Sequence, residues 1–71
     1  MTAEYPRISL RAARVNAKLG QKEAAKKLGI SLSTLQNYES GKTSPDVHFL
    51  ETLEKVYSFP AHNIFFGTTD T

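Results

Sequence analysis

The chain has 71 residues and a formal net charge of +2; it is 39% hydrophobic and 23% charged, and it contains no cysteine. That length bounds it to one small domain, burying about 60% of its unfolded surface, and the missing thiols exclude disulfides, cysteine-based metal sites and thiol chemistry. No apolar run approaches the roughly 20 residues of a membrane helix, and the start "MTAEYPRISL" lacks the basic n-region and apolar h-region of a signal peptide, so the expectation is a soluble cytoplasmic protein.

In chain order, residues 1–8 read as an N-terminal arm, 9–66 as the domain and 67–71 as a tail. Ser9 is an N-cap, its oxygen free to accept from the open amides of the next turn. A first helix then covers about Leu10 to Lys18, with Leu10, Ala13 and Ala17 on one face and Gly20 as its expected stop. A second helix, about Gln21 to Leu28, turns Ala24, Ala25 and Leu28 inward and ends at Gly29. Ser31 caps a third, about Leu32 to Ser40, ended by Gly41. Ser44 or Asp46 caps a fourth around Pro45, running to about Tyr57 with Phe49, Leu50, Leu53, Val56 and Tyr57 apolar. Pro60 opens a last short turn, "PAHNIFF". Nothing alternates for long enough to predict a strand. The expected fold is all-α, a bundle of five short helices.

Charge is unevenly placed. Up to residue 42 there are eight Lys and Arg against three acids; beyond it Lys55 stands against four acids. That suits one face to an anionic partner; the plainer alternative is a solvated surface with uneven charge.

The second and third helices are joined only by "GIS". So short a link sets two-turn helices at a steep angle, the helix-turn-helix arrangement. Leu35 and Tyr38 face inward with Ile30. The other side of the third helix then holds Leu32, Ser33, Gln36 and Asn37, with Thr34 at its edge. A core-covering helix usually carries Lys and Glu there. Short amides and hydroxyls suit base edges instead: Gln and Asn bond adenine in bidentate fashion, Ser and Thr bond several bases, and Leu32 or the Thr34 methyl suits a thymine methyl. The plainer alternative is that Ser, Thr and Asn only decorate a surface helix.

The segment "GQKEAAKKLGISLSTLQNYESGKTSPDVHFLETLEKVYSF" resembles the Cro/repressor helix-turn-helix family of phage and bacterial transcription regulators. The resemblance spans roughly Leu10 to Phe65 and rests on an ordered set: Gln at the start of the second helix, "AAKKLGIS" through the turn, "YESGK" after the third helix, then Pro before a Leu-rich fourth. It implies a lambda-repressor-like DNA-binding domain acting on double-stranded DNA. By resemblance, Gln21 contacts a phosphate and packs against the recognition helix, with Lys22 and Ser31 as further backbone candidates. Leu32, Ser33, Thr34, Gln36 and Asn37 fall on the reading side, Lys42 and Thr43 reach the phosphate backbone, and Arg14 and Glu39 form a structural ion pair. Four positions, in three places, depart from the family pattern. Gly20 replaces a frequent Thr or Ser cap, Leu32 is apolar where some members have Gln, and Ser58 and Pro60 replace a Gly and a hydroxyl cap.

Other chemistry is thin. His48 and His62 have no ligand-like spacing with an acid, no Ser has a His–acid pattern, and neither an enzyme nor a cofactor is expected. Tyr57, Phe59, Ile64, Phe65 and Phe66 cluster near the C-terminal end. Adjacent helical residues point about 100 degrees apart, so Phe66 is expected outward when Phe65 is inward. The family commonly dimerises at this end, which makes Phe66 with part of Phe59 or Ile64 a candidate homodimer interface; a locally buried monomer end is the alternative. The arm at Tyr5 to Arg7 either adds a DNA contact or stays disordered. Two further readings use the same fold differently: an antitoxin that silences a protein partner, and a pure protein-interaction module.

Overall fold

The computed structural model describes residues 6–66. Four α-helices make its body: α1 (Leu10–Asn16), α2 (Gln21–Leu28), α3 (Leu32–Ser40) and α4 (Val47–Tyr57). The fifth expected helix is a single 3-10 turn, Ala61–Asn63. It is flanked by an element the sequence pattern did not reveal. Ile8–Ser9 (β1) pairs in parallel with Ile64–Phe65 (β2), Ile8 opposite Ile64 and Ser9 opposite Phe65. Two-residue strands are too short for alternation to show, and their pairing depends on the two ends of the fold meeting.

The helix starts are locally determined. Ser9 accepts from the Ala12 amide, Ser31 from Thr34 and Asp46 from Phe49, each satisfying an amide that has no intrahelical partner. Asp46, not Ser44, is therefore the cap of α4, and Pro45 lies just before it. α2 and α3 end at Gly29 and Gly41, whose φ values of 75° and 82° place both in the left-handed region. The first helix departs from expectation. It stops at Asn16, and Lys18 takes φ 64°. Gly20 is extended, φ −77°, and serves as the N-cap of α2 with no side-chain cap bond. The stop is closed locally: the Leu19 amide donates to the Arg14 carbonyl at 3.2 Å, and Arg14 Nη1 donates back to the Leu19 carbonyl at 2.9 Å.

The core joins Leu10 and Ala13 of α1, Ala24, Ala25 and Leu28 of α2, Leu35 of α3, Leu53 and Tyr57 of α4, and Phe59 and Ile64 beyond it. Ala24 and Ala25 let α2 approach both α3 and α4. Tyr38 lies over Phe49, ring centroids 5.1 Å apart and tilted by 58°, tying α3 to α4. Phe59 and Ile64 keep only 7% and 5% of their exposure, so both belong mainly to the core. Phe66 is half-buried and packs against the core. Phe65 is half-buried too, with the Arg7 guanidinium 5.8 Å from its ring centroid. The inward Phe65 and outward Phe66 expected of a helix are not found, because this segment is a strand. Tyr5 and the 67–71 tail lie outside the described residues.

Candidate nucleic-acid interface

Three residues, Gly29, Ile30 and Ser31, separate α2 from α3. Gly29 turns the backbone, Ile30 is half-buried against the core, and Ser31 starts the next helix. Leu35 of α3 is fully buried. That anchor rotates the opposite side of α3 to solvent: Ser33 and Gln36 are exposed, while Leu32, Thr34 and Asn37 are half-buried at its margins. Lys22, Lys42 and Thr43 are also exposed, and Gln21 is half-buried. Ser31 is already engaged. It caps Thr34 and donates its own hydroxyl proton to Thr34 Oγ1 at 2.9 Å.

One hydrogen-bonded chain joins the core to this exposed side. Arg14 Nε donates to Glu39 Oε2 at 2.7 Å. Gln21 Nε2 donates to Glu39 Oε1 at 3.1 Å, and Gln36 Nε2 donates to Gln21 Oε1 at 3.3 Å. The direction follows from chemistry. A carboxylate only accepts, so Gln21 must turn its amino group toward Glu39. Its carbonyl then faces Gln36 and accepts a hydrogen bond from it. Gln36 is left with its own carbonyl oxygen and one N–H for an external partner.

The Arg14–Glu39 pair is nearly dry, its side chains 9% and 8% exposed. Close by, the Tyr57 hydroxyl is buried and has no hydrogen-bond partner among the described residues. Burial pushes its pKa up from 10.0 to about 12, the Glu39 charge adds to the rise, and Arg14 opposes it. Beside the chain lies an open cleft of about 480 Å³, with Arg11 and Arg14 on one side and Gln36, Glu39 and Ser40 on the other.

Residues 10–61 match the family model described as helix-turn-helix. The chain belongs to the Cro/repressor-type helix-turn-helix family. Comparison with curated proteins and with solved structures gave no match. Helix-turn-helix proteins of this kind are DNA-binding transcription regulators, and α2 and α3 of this chain supply the motif. No helix among the described residues is long and apolar enough to cross a membrane.

The expected Arg14–Glu39 pair is present. The coupling of Glu39 to Gln36 through the Gln21 amide was not legible in the sequence. Gln21 lies in α2 while Gln36 and Glu39 lie in α3, and no local spacing signals that Gln21 meets both. Arg11 was also missed as a lining residue of the cleft, although its place three residues before Arg14 puts both on one helix face.

Proposed function

We propose that this protein is a sequence-specific transcriptional regulator of phage or prophage repressor type that inserts α3 into the major groove. The observation that carries the reading is the exposed, uncharged polar side of α3, with Gln36 held by Gln21. Gln36 offers one acceptor and one N–H side by side, the complement of adenine N6 and N7. Guanine N7 and O6 both accept, and facing them would need two N–H groups from Gln36, one of which is spent on Gln21. Gln36 therefore reads adenine and discriminates against guanine. Ser33 and Asn37 contact neighbouring base edges, and Leu32 and the Thr34 methyl meet thymine methyls.

Gln21, Lys42, Thr43 and Lys22 hold phosphates at the margins of the groove. Ser31 orders the start of α3 through its cap. The protein acts as a homodimer, placing two recognition helices about 34 Å apart on a near-palindromic site. Phe66 contributes the exposed part of the C-terminal end to that dimer, over a floor built by Phe59 and Ile64.

Selection from a random duplex pool at two salt concentrations tests the reading. Enrichment of a two-fold symmetric site containing an adenine that Gln36→Ala no longer prefers is the expected result. Binding without enrichment, abolished at the higher salt, refutes base reading by α3. Absence of binding at both salts moves the assignment to a protein partner.

A further inference from the structure

The cleft between α1 and α3 contains charge that the reading above leaves unused. The charge of Arg14 is balanced there by the Glu39 carboxylate, which accepts a hydrogen bond from its Nε. Both carboxylate oxygens of Glu39 are engaged, one by Arg14 and one by Gln21. Ser40 donates its hydroxyl proton to the Asn37 carbonyl at 3.2 Å, so it can offer only an acceptor. Arg11 is different. It is exposed, lines the same cleft, and forms no ion pair or hydrogen bond among the described residues. Among the described residues the cleft thus has one unneutralised cation and, from Gln21 Nε2, one N–H left over.

We propose that Arg11 binds a DNA backbone phosphate at the mouth of this cleft, with the second N–H of Gln21 as its companion donor. The placement favours phosphate over base. Arg11 is on α1, beside the recognition helix and not on it, while Gln36 on the facing wall points toward the bases. A helix seated in the groove has sugar-phosphate strands along its margins, and the α1 side of Gln36 is one such margin. A guanidinium there meets two phosphate oxygens through paired N–H groups. The contact extends the DNA-facing surface from α2 and α3 to α1, and it rests on the DNA-binding reading.

The test compares wild type, Arg11→Ala and Arg11→Lys on the selected duplex and on a scrambled duplex, from 50 to 200 mM salt. Arg11 is exposed, so all three chains should melt alike. One lost phosphate contact lowers the slope of log affinity against log salt by about 0.9, so across this fourfold salt range Arg11→Ala should lose about 3.5-fold less affinity than wild type. The weakening should be the same on both duplexes, and Arg11→Lys should restore most of the slope. An unchanged slope and affinity in Arg11→Ala overturns the proposal while wild-type binding keeps the DNA reading. A changed preference at one base pair overturns the phosphate assignment in favour of base contact. Wild type without salt-dependent DNA affinity overturns both.

Discussion

Arg14 donates from Nε to Glu39 Oε2 at 2.7 Å, joining α1 to the end of α3 across 25 positions of sequence, and neither side chain keeps a tenth of its exposure. The pair also orients Gln21, and through it Gln36. The buried charges therefore set the direction of an amide chain that ends on the exposed polar side of α3, the side proposed to read DNA.

Removing one partner strands the other. Glu39→Ala leaves the Arg14 guanidinium buried with the Leu19 carbonyl as its remaining partner. Losing one member of a buried pair costs about 3–5 kcal/mol, a large share of the about 5–15 kcal/mol that holds a domain folded. Thermal melting followed by circular dichroism should show a midpoint lower by about 12 °C or more. A double variant, Arg14→Met with Glu39→Leu, should recover most of that loss, because no charge is then stranded. Equal melting of Glu39→Ala and wild type would show that the pair is weak.

Tyr57 makes a prediction with a pH signature. Its hydroxyl is buried and unpartnered among the described residues, so Tyr57→Phe should stabilise the protein by about 1 kcal/mol at neutral pH. In the folded chain the phenol's pKa is raised from 10.0 to about 12. Below pH 10 folded and unfolded chains both hold the proton, and this favourable difference is fully retained. Above pH 10 the unfolded chain ionises first, so wild type loses stability until the folded phenol also ionises near 12. The slope is at most about 1.4 kcal/mol per pH unit. Urea melts of both chains at pH 7 and pH 11 should show the advantage of the variant widening at the higher pH.

Two backbone positions invite improvement. Ser58 closes α4 at φ 54°, a left-handed conformation that strains a residue with a Cβ. Ser58→Gly should add about 0.5–1 kcal/mol, the relief of strain exceeding the extra entropy of the unfolded chain. At Gly20, the cap of α2, an added Cβ would meet nothing within 4 Å. Gly20→Ser supplies the missing hydroxyl acceptor and should add a few tenths of a kcal/mol. Chemical denaturation reads both, and a loss of stability in either variant would contradict the backbone account.

On DNA, base readers and phosphate binders should separate. Asn37→Ala and Gln36→Ala should each cost about 1–3 kcal/mol on the preferred site and relax one base position, whereas Lys42→Ala should weaken all sequences alike. Gln21→Met leaves the Arg14–Glu39 pair intact but releases Gln36. It should lower the adenine-over-guanine ratio at the Gln36 position as well as overall affinity. A competition assay with single-base variants of the site distinguishes these outcomes.

The reach of the sequence follows from distance along the chain. Ser9, Ser31 and Asp46 bond amides three residues away, and Gly29 and Gly41 close the helices immediately before them. Such interactions are local, so α2, α3, the short turn and the exposed polar side of α3 could be read from residue order alone. Other features required the assembled fold. Arg14, which holds the Leu19 carbonyl after α1, is itself held by Glu39 across 25 positions. Ile8 finds Ile64 across nearly the whole described chain, and the Gln36 amide acquires its orientation from Glu39 through Gln21. The residue types prescribed which groups could donate and accept. Packing of α1, α2 and α3 around Leu10, Ala24 and Leu35 decided which of them met, because hydrogen bonds need atoms about 3 Å apart and only the closed core brings distant helices that close.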